Sequence, residues 1–109
     1  MIPTIGRIVL YVLKDSDVDA INRRRTDGSS IANRIKEDKW PLGAQAHIGN
    51  HAEEGQIYPM IITRVWNPGD EASIVQGQVF LDGNVALWTT SVHQDANKAP
   101  GTWHQPERA

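Results

Sequence analysis

The spacing of apolar residues changes from a strand-like to a helix-like pattern near the start of the chain. An apolar run rich in β-branched residues occupies positions 6–13 and predicts a strand that is buried on at least one face. Beyond it, Val18, Ile21 and Arg25 share one face at helical spacing, which predicts a short helix at about 16–25.

Capping residues suggest where this helix begins and where a second one follows. Ser16 and Asp19, three residues apart, form a weak variant of the capping box at the start of the first helix. Ser29 or Ser30 can cap a second helix. We expect that helix to end at Trp40, because a residue that precedes proline disfavours the α region.

The second half of the chain has the alternating pattern of β-strands. Apolar and β-branched residues predict strands at 57–66, 74–81 and 85–92. Between the first two of these, Asn67–Asp70 has the proline and glycine positions of a type II turn. Asp82-Gly83 then predicts a hairpin between the last two strands.

These elements predict a single domain over residues 1–109 in the α+β class. Strands around a helical connection suggest a small SH3-like barrel, or a twisted antiparallel sheet, with a two-helix insertion between strands 1 and 2 at about 15–50. The C-terminal tail, at about 93–109, is polar and rich in turn residues but contains Trp103. An aromatic residue in a polar tail suggests that the tail docks on the domain.

Composition excludes several classes of protein. With 39% hydrophobic and 22% charged residues, the chain is expected to be soluble and folded. It has no cysteine, which excludes disulfides, thiol nucleophiles and Cys-ligated metals. The net charge of −2 argues against duplex nucleic acid as a partner. No apolar run approaches the ~20 residues of a membrane helix, so no membrane association is expected.

Catalytic and metal-binding motifs are weak or missing. His47 and His51 are four residues apart, as in helical zinc sites, but Ile48 stands where a metalloprotease has glutamate. Two loop histidines bonded to backbone or water are the simpler interpretation. The chain has no Gly-x-Ser-x-Gly motif and no glycine-rich phosphate loop. We therefore predict no catalytic residue, metal or cofactor, and no enzymatic activity.

The stretch from Arg23 to Ser30 is the most suggestive binding motif. Three arginines end one predicted helix, and Ser29 opens the next with a hydroxyl and free N–H groups, a combination suited to phosphate. Arg25 shares a face with Ile21 and so points toward the domain. The alternative is a solvated basic turn whose charge is offset by nearby aspartates.

Aromatic residues outside the strand pattern are the second group of binding candidates. Trp40 and Trp103 lie in turn-rich segments, where a tryptophan either anchors a small satellite core or forms a platform for stacking a base. Trp66 and Trp88 belong to strands and are interpreted as packing residues. Tyr11 lies in the first strand, with its hydroxyl placed for a surface or a subunit contact.

The two ends of the chain resemble a group of small phage-encoded proteins. The group has a "P-x-x-G-R-x-V-x-Y" opening, found here from Pro3 to Tyr11, and a "G-T-W-H-W-P-E" ending, found here from Gly101 to Glu107. Gln105 replaces the second tryptophan of that ending. The middle of the chain, at positions 20–28 and 40–50, resembles a subgroup of these phage proteins with longer sequences.

The group is similar to viral sponge proteins that sequester cyclic oligonucleotide immune signals. The resemblance implies a homo-oligomer in the host bacterial cytoplasm that binds a cyclic di- or trinucleotide without cleaving it, and so counters host defence. It makes Arg24, Arg25, Trp40, Trp103 and His104 contact candidates. The full set of predicted ligand-binding residues is Tyr11, Arg24, Arg25, Ser29, Trp40, Trp103 and His104.

Two other functions are kept as alternatives. One is a structural or accessory protein of the virion, such as a decoration or tail component, because small SH3-like barrels suit that role. The other is a hydrolase that uses His47, His51 or His104. The hydrolase is the least favoured, since no nucleophile–base pair is recognisable.

Overall fold

One five-stranded antiparallel sheet forms the framework of the protein, with strand order β4-β3-β2-β1-β5. The computed structural model describes residues 1–24 and 49–106. Its strands are β1 (Ile8–Val12), β2 (Ile57–Val65), β3 (Val75–Phe80), β4 (Ala86–Val92) and β5 (Trp103–His104). The four strands predicted from the hydrophobic pattern are confirmed to within two residues at each end. The α+β class is confirmed as well.

Residues 15–24 form helix α1, which follows β1 as predicted. The helix is capped at Lys14: the carboxylate of Asp17 accepts a hydrogen bond from the Lys14 N–H at 3.2 Å. This is one half of a capping box, two residues earlier than the predicted pair, Ser16 and Asp19, so that pairing was wrong. On the apolar face Ile21 is buried against the sheet, as its spacing predicted.

The predicted second helix, and most of the predicted insertion at 15–50, lie outside the described residues. The described chain resumes at Gly49, which forms an isolated bridge with Gly83. Asn22 of α1 fixes the position of the next segment, since its side-chain amide both donates to and accepts from the backbone of Ala52, each at 2.9 Å. One helix is thus seen between β1 and β2 in the described residues, where two were predicted.

Alternate residues of each strand face a common core. In the register of β1 and β2, Val9 lies opposite Met60 and Tyr11 opposite Tyr58. Met60 in turn lies opposite Val79 of β3. The most deeply buried side chains of this face belong to all five strands, among them Val9, Tyr11, Met60, Ile62, Val75, Val79, Val92 and Trp103.

The C-terminal tail brings the two edges of the sheet together. β5 pairs with β1, placing Trp103 opposite Tyr11. The backbone N–H of Trp103 also donates to the His93 carbonyl at 3.0 Å, and the backbone N–H of Asp95 donates to the Trp103 carbonyl at 2.9 Å. The segment that follows β4 is therefore joined to β5, and the predicted docking of the tail is confirmed.

No helix in the described parts of the chain is both long enough and apolar enough to cross a membrane.

Close packing at the centre of the sheet makes Gly77 sensitive to substitution. A Cβ atom at this position would lie 2.5 Å from Met60 Cγ and 2.9 Å from the Ile61 carbonyl oxygen. We expect Gly77→Ala to lower the free energy of unfolding by about 1–3 kcal/mol, the usual cost of overpacking. The change in the free energy of unfolding is measured by urea titration, with circular dichroism as the signal.

The neighbouring Gln78→Ala variant is the control, because Gln78 lies on the exposed face of the same strand. Its free energy of unfolding should stay within about 0.5 kcal/mol of the wild-type value. Equal losses for the two variants would contradict the packing described for Gly77.

Candidate ligand-binding cleft

An open cleft of about 180 Å³ lies next to the point where the sheet edges meet. Residues 88–92 of β4 form one wall. The other side is formed by residues at the end of β1, at the start of α1 and before β5: Tyr11, Lys14, Ser16, Asp17 and Gly101. The sequence places these three elements far apart, and the pairing of β5 with β1 brings them together.

The β4 wall is the edge of the sheet. Because β4 has only β3 as a neighbour in the strand order, backbone polar groups along its other side are unpaired within the sheet. The register shifts between Val75 and Gly77, and Ser91 has a φ of 54°, in the left-handed region that non-glycine residues seldom occupy. Such a bulge changes the direction of the strand beside the cleft. Trp88 is 59% exposed, and its side chain lies on the outer face of β4, opposite Gln78.

Lys14 supplies the positive charge of the opposite side. Its aliphatic stem passes close to Gly101, where an added Cβ would lie 3.1 Å from Lys14 Cδ. Gly101 also has a φ of 82°, which only glycine adopts without strain. Within the described residues the Lys14 ammonium forms no ion pair. Lys14 is the one cationic residue among those that line the cleft.

A hydrogen bond between Tyr11 and Asp17 forms the inner end of the cleft. The Tyr11 hydroxyl donates to Asp17 Oδ2, the same oxygen that accepts from the Lys14 N–H. No described residue donates to Asp17 Oδ1. Asp17 is only 8% exposed. The cleft thus contains a largely buried carboxylate with one oxygen that makes no hydrogen bond to the described residues.

Burial raises the pKa of Tyr11 far above its usual value. The hydrogen bond to Asp17 and the negative charge of that carboxylate raise the pKa further. All three effects disfavour the phenolate, so the hydroxyl remains protonated and continues to donate to Asp17.

The structure brings together three of the predicted binding residues. Tyr11 and Trp103 are cross-strand partners, and His104 lies opposite Leu10 in the same ladder. Trp103 is fully buried and His104 is 5% exposed, so both are packed within the protein. The Trp103 indole N–H has no hydrogen-bond partner in the described part of the chain.

Of the remaining predicted residues, Arg24 alone is among the described residues, and it does not line this cleft. Arg24 is exposed on α1. Arg25, Ser29 and Trp40 lie outside the described residues, as does His47. The predicted set therefore stays a prediction.

Three residues that line the cleft were not among the predicted binding residues: Lys14, Asp17 and Trp88. Trp88 was interpreted as a packing residue, like Trp66, and both interpretations were wrong because these side chains are 59% and 42% exposed. Trp66 instead carries the guanidinium of Arg64, 3.9 Å from the centroid of its ring. For Trp88 a signal was present, since it alternates with Leu87 and Thr89, which face the core.

Within the described residues, no group of three or more histidine, aspartate or glutamate side chains is arranged to hold a metal ion. Comparison of the chain with models of known protein families, with curated proteins and with solved structures finds no match. The arguments for function therefore come from the chemistry of the cleft and from the resemblance at the chain ends.

The bond between Tyr11 and Asp17 can be tested by removing the hydroxyl. Tyr11→Phe removes one of the two donors to the buried Asp17 carboxylate, and we expect the free energy of unfolding to fall by about 1.5–3 kcal/mol, the usual range for hydrogen bonds to charged groups. Tyr58→Phe is the matched control, because its half-buried hydroxyl donates to the neutral Gln56 Oε1 at 3.2 Å. The control should lose only about 0.5–1.5 kcal/mol in the same urea titration. Equal losses would contradict the role assigned to Tyr11.

The same bond makes stability depend on alkaline pH. In the unfolded chain Tyr11 loses its proton near pH ~10, whereas the folded protein retains it. The unfolded state then binds fewer protons, so stability decreases above pH ~10 by up to about 1.4 kcal/mol per pH unit. Urea midpoints of wild type and Tyr11→Phe, measured from about pH 9 to about pH 11, should converge as pH rises. A constant difference between them would contradict this assignment.

Proposed function

We propose that this protein is a non-enzymatic module that binds and sequesters a cyclic di- or trinucleotide, as a phage anti-defence sponge in the host bacterial cytoplasm. The observation that carries the proposal is that the Lys14 ammonium belongs to a cleft at the edge of the sheet, and that the exposed indole of Trp88 lies on the outer face of β4, the strand that forms one wall of this cleft. An ammonium attracts a phosphate, and an indole provides a face on which a base stacks. The resemblance of the chain ends to small phage proteins supports the same function.

The size of the cleft constrains how such a ligand binds. Pockets that enclose drug-sized ligands measure about 300–1,000 Å³. A cleft of about 180 Å³ therefore accommodates one base or one phosphate rather than a whole cyclic nucleotide. The proposal accordingly includes a homo-oligomer, in which a second subunit contacts the rest of the ligand.

The proposed architecture is an SH3-like barrel with a two-helix insertion. The hydrogen bonds of Trp103 with His93 and Asp95 support it, because they connect the segment after β4 to β5 across the open side of the sheet. In this arrangement the cleft is the gap that remains between β4 and the end of β1.

The proposal assigns no catalytic role to the cleft. A nucleophile must be easily deprotonated, and the environment of Tyr11 does the opposite by keeping its hydroxyl neutral. The cleft contains acceptors, donors and one cation, which serve binding.

Isothermal titration calorimetry against a panel of cyclic di- and trinucleotides tests the proposal. We expect at least one member to bind. Trp88→Ala should weaken that binding by about 10-fold or more, because base–aromatic stacking contributes about 1–3 kcal/mol per base. Trp66→Ala is the matched control, since this exposed tryptophan lies outside the cleft, and its affinity should equal that of the wild type.

A second measurement separates the phosphate contact from stacking. Lys14→Ala should reduce the salt dependence of binding, because one cation fewer contacts the ligand. Absence of binding to every member of the panel at tens of micromolar would overturn the proposed function.

A virion accessory protein is the second candidate, and the outer face of the sheet favours it. In register, Ile8, Ile61, Gln78 and Trp88 form an uncharged row across four strands. Ile57 and Phe80 on the same face are also exposed. An apolar surface of this kind suits permanent assembly with other subunits. Detection of the protein in purified virions by mass spectrometry would favour this candidate over the sponge.

A further inference from the structure

We propose that the outer face of the sheet is the interface through which two copies of this chain form a dimer. The inference deepens the proposed function, since it rests on the homo-oligomer named there and identifies the surface that forms it. Its basis is an uncharged and largely apolar face that spans four strands and that no described segment covers.

The outward positions of the sheet are apolar where a solvated face is normally polar. An antiparallel sheet with one face in water alternates apolar residues inside with polar residues outside. Here the outward side chains of Ile8, Ile57 and Phe80 are 56%, 44% and 46% exposed. Leu10 and Pro59, opposite each other in the ladder of β1 and β2, continue the same surface. A single protein rarely leaves a continuous apolar surface of this kind in water, which indicates that a partner covers it.

The absence of charge on this face points to a second copy as the partner. Arg64 is the only lysine, arginine, aspartate or glutamate within the five strands, and it lies at the end of the face, where its guanidinium stacks on Trp66. A partner with a charged surface would bury its charges unpaired against such a face, which is costly. A second copy presents the same uncharged surface, and a two-fold arrangement joins the two without burying a charge at the centre.

The face has the size that a small but stable dimer interface needs. Four strands about 4.8 Å apart and about 20 Å long give a projected area of about 400 Å². Because side chains stand out from the sheet, the accessible area is larger and approaches the ~600 Å² that each subunit buries in the smaller stable interfaces. Two such faces would pack about 10 Å apart, as the two sheets of a β-sandwich do.

This dimer agrees with the position of the cleft. Because β4 is the edge strand, Trp88 lies at the rim of the proposed interface, where its indole stays accessible to a ligand. A second copy that extends to this rim ends beside the cleft, of which β4 is one wall. It is thus placed to contact the part of the ligand that the cleft is too small to hold.

Sedimentation velocity tests the inference on the wild-type protein, which should be a dimer at tens of micromolar. Phe80→Lys places an ammonium group on each of the two faces, and we expect the dimer to dissociate about 100-fold more readily, because like charges repel across an interface that excludes water. Ile8→Lys, on another strand, should have the same effect. Both side chains already contact water in the single chain, so circular dichroism should show an unchanged fold.

Ile5→Lys is the matched control. Ile5 is 71% exposed, but it precedes β1 and lies outside the five strands. The same change from an apolar to a charged side chain should therefore leave the dissociation constant of the dimer within about 3-fold of the wild-type value.

A mixing experiment tests whether the partner is the same face of a second copy. The double variant Ile8→Lys/Phe80→Lys and the double variant Ile8→Glu/Phe80→Glu should each be monomeric alone. Their mixture should form a dimer, because faces of opposite charge then meet wherever the two-fold axis lies. A mixture that stays monomeric would contradict face-to-face pairing.

The remaining outcomes separate this inference from the proposed function. A monomeric wild type, or a dimer that Phe80→Lys and Ile8→Lys leave intact, would overturn the interface, and so would an equal loss of the dimer in Ile5→Lys. A monomer that binds a cyclic nucleotide in calorimetry would overturn the interface and leave nucleotide binding standing. A dimer that binds no member of the panel would overturn the sponge and leave the interface standing.

Discussion

The hydrogen bond from Tyr11 to Asp17 connects β1 to α1, the two elements that meet on one side of the cleft. Tyr11 lies in β1, between β2 and β5, so its ring position is fixed by both neighbouring strands. Asp17 caps α1 through the Lys14 N–H, so the same carboxylate sets where the helix begins. One polar contact thus fixes the helix start relative to the sheet. The position of Lys14 at the cleft follows from it.

The fold was largely predictable because its signal is repeated along the chain. β1 and β2 are apolar runs rich in β-branched residues, whereas β3 and β4 alternate apolar and polar positions. The helical spacing of Val18 and Ile21 differs clearly from both patterns. β5 has only two residues, which is too short to show an alternation of apolar and polar positions. The docking of the tail was indicated by Trp103 alone, as an aromatic residue in a polar segment. Its pairing depends on distant residues that no local pattern reveals.

The cleft was less predictable, since it is defined by contacts between distant segments. Asp17 is an unremarkable member of an acidic helix start until β1 places the Tyr11 hydroxyl against it. Trp88 is a large aromatic residue in a strand, a residue type that usually packs inside, but its alternation with Leu87 and Thr89 places it on the outer face. Lys14 joins them because Gly101 leaves room for its stem. Interpretation of the sequence motifs instead favoured residue types that are common in binding sites, such as the tryptophan at position 103.

The motifs at the two ends of the chain now have a structural explanation. β1 carries the end of the first motif and β5 lies within the second, and they pair directly, with Tyr11 opposite Trp103. The Gly101 N–H donates to the Val12 carbonyl at 2.8 Å and extends this pairing. Both motifs therefore build one ladder that closes the core around a fully buried tryptophan. The two charged residues that line the cleft, Lys14 and Asp17, lie outside both motifs. The ladder therefore depends on the motifs, whereas substitutions at these two positions would change the charge of the cleft and leave both motifs intact.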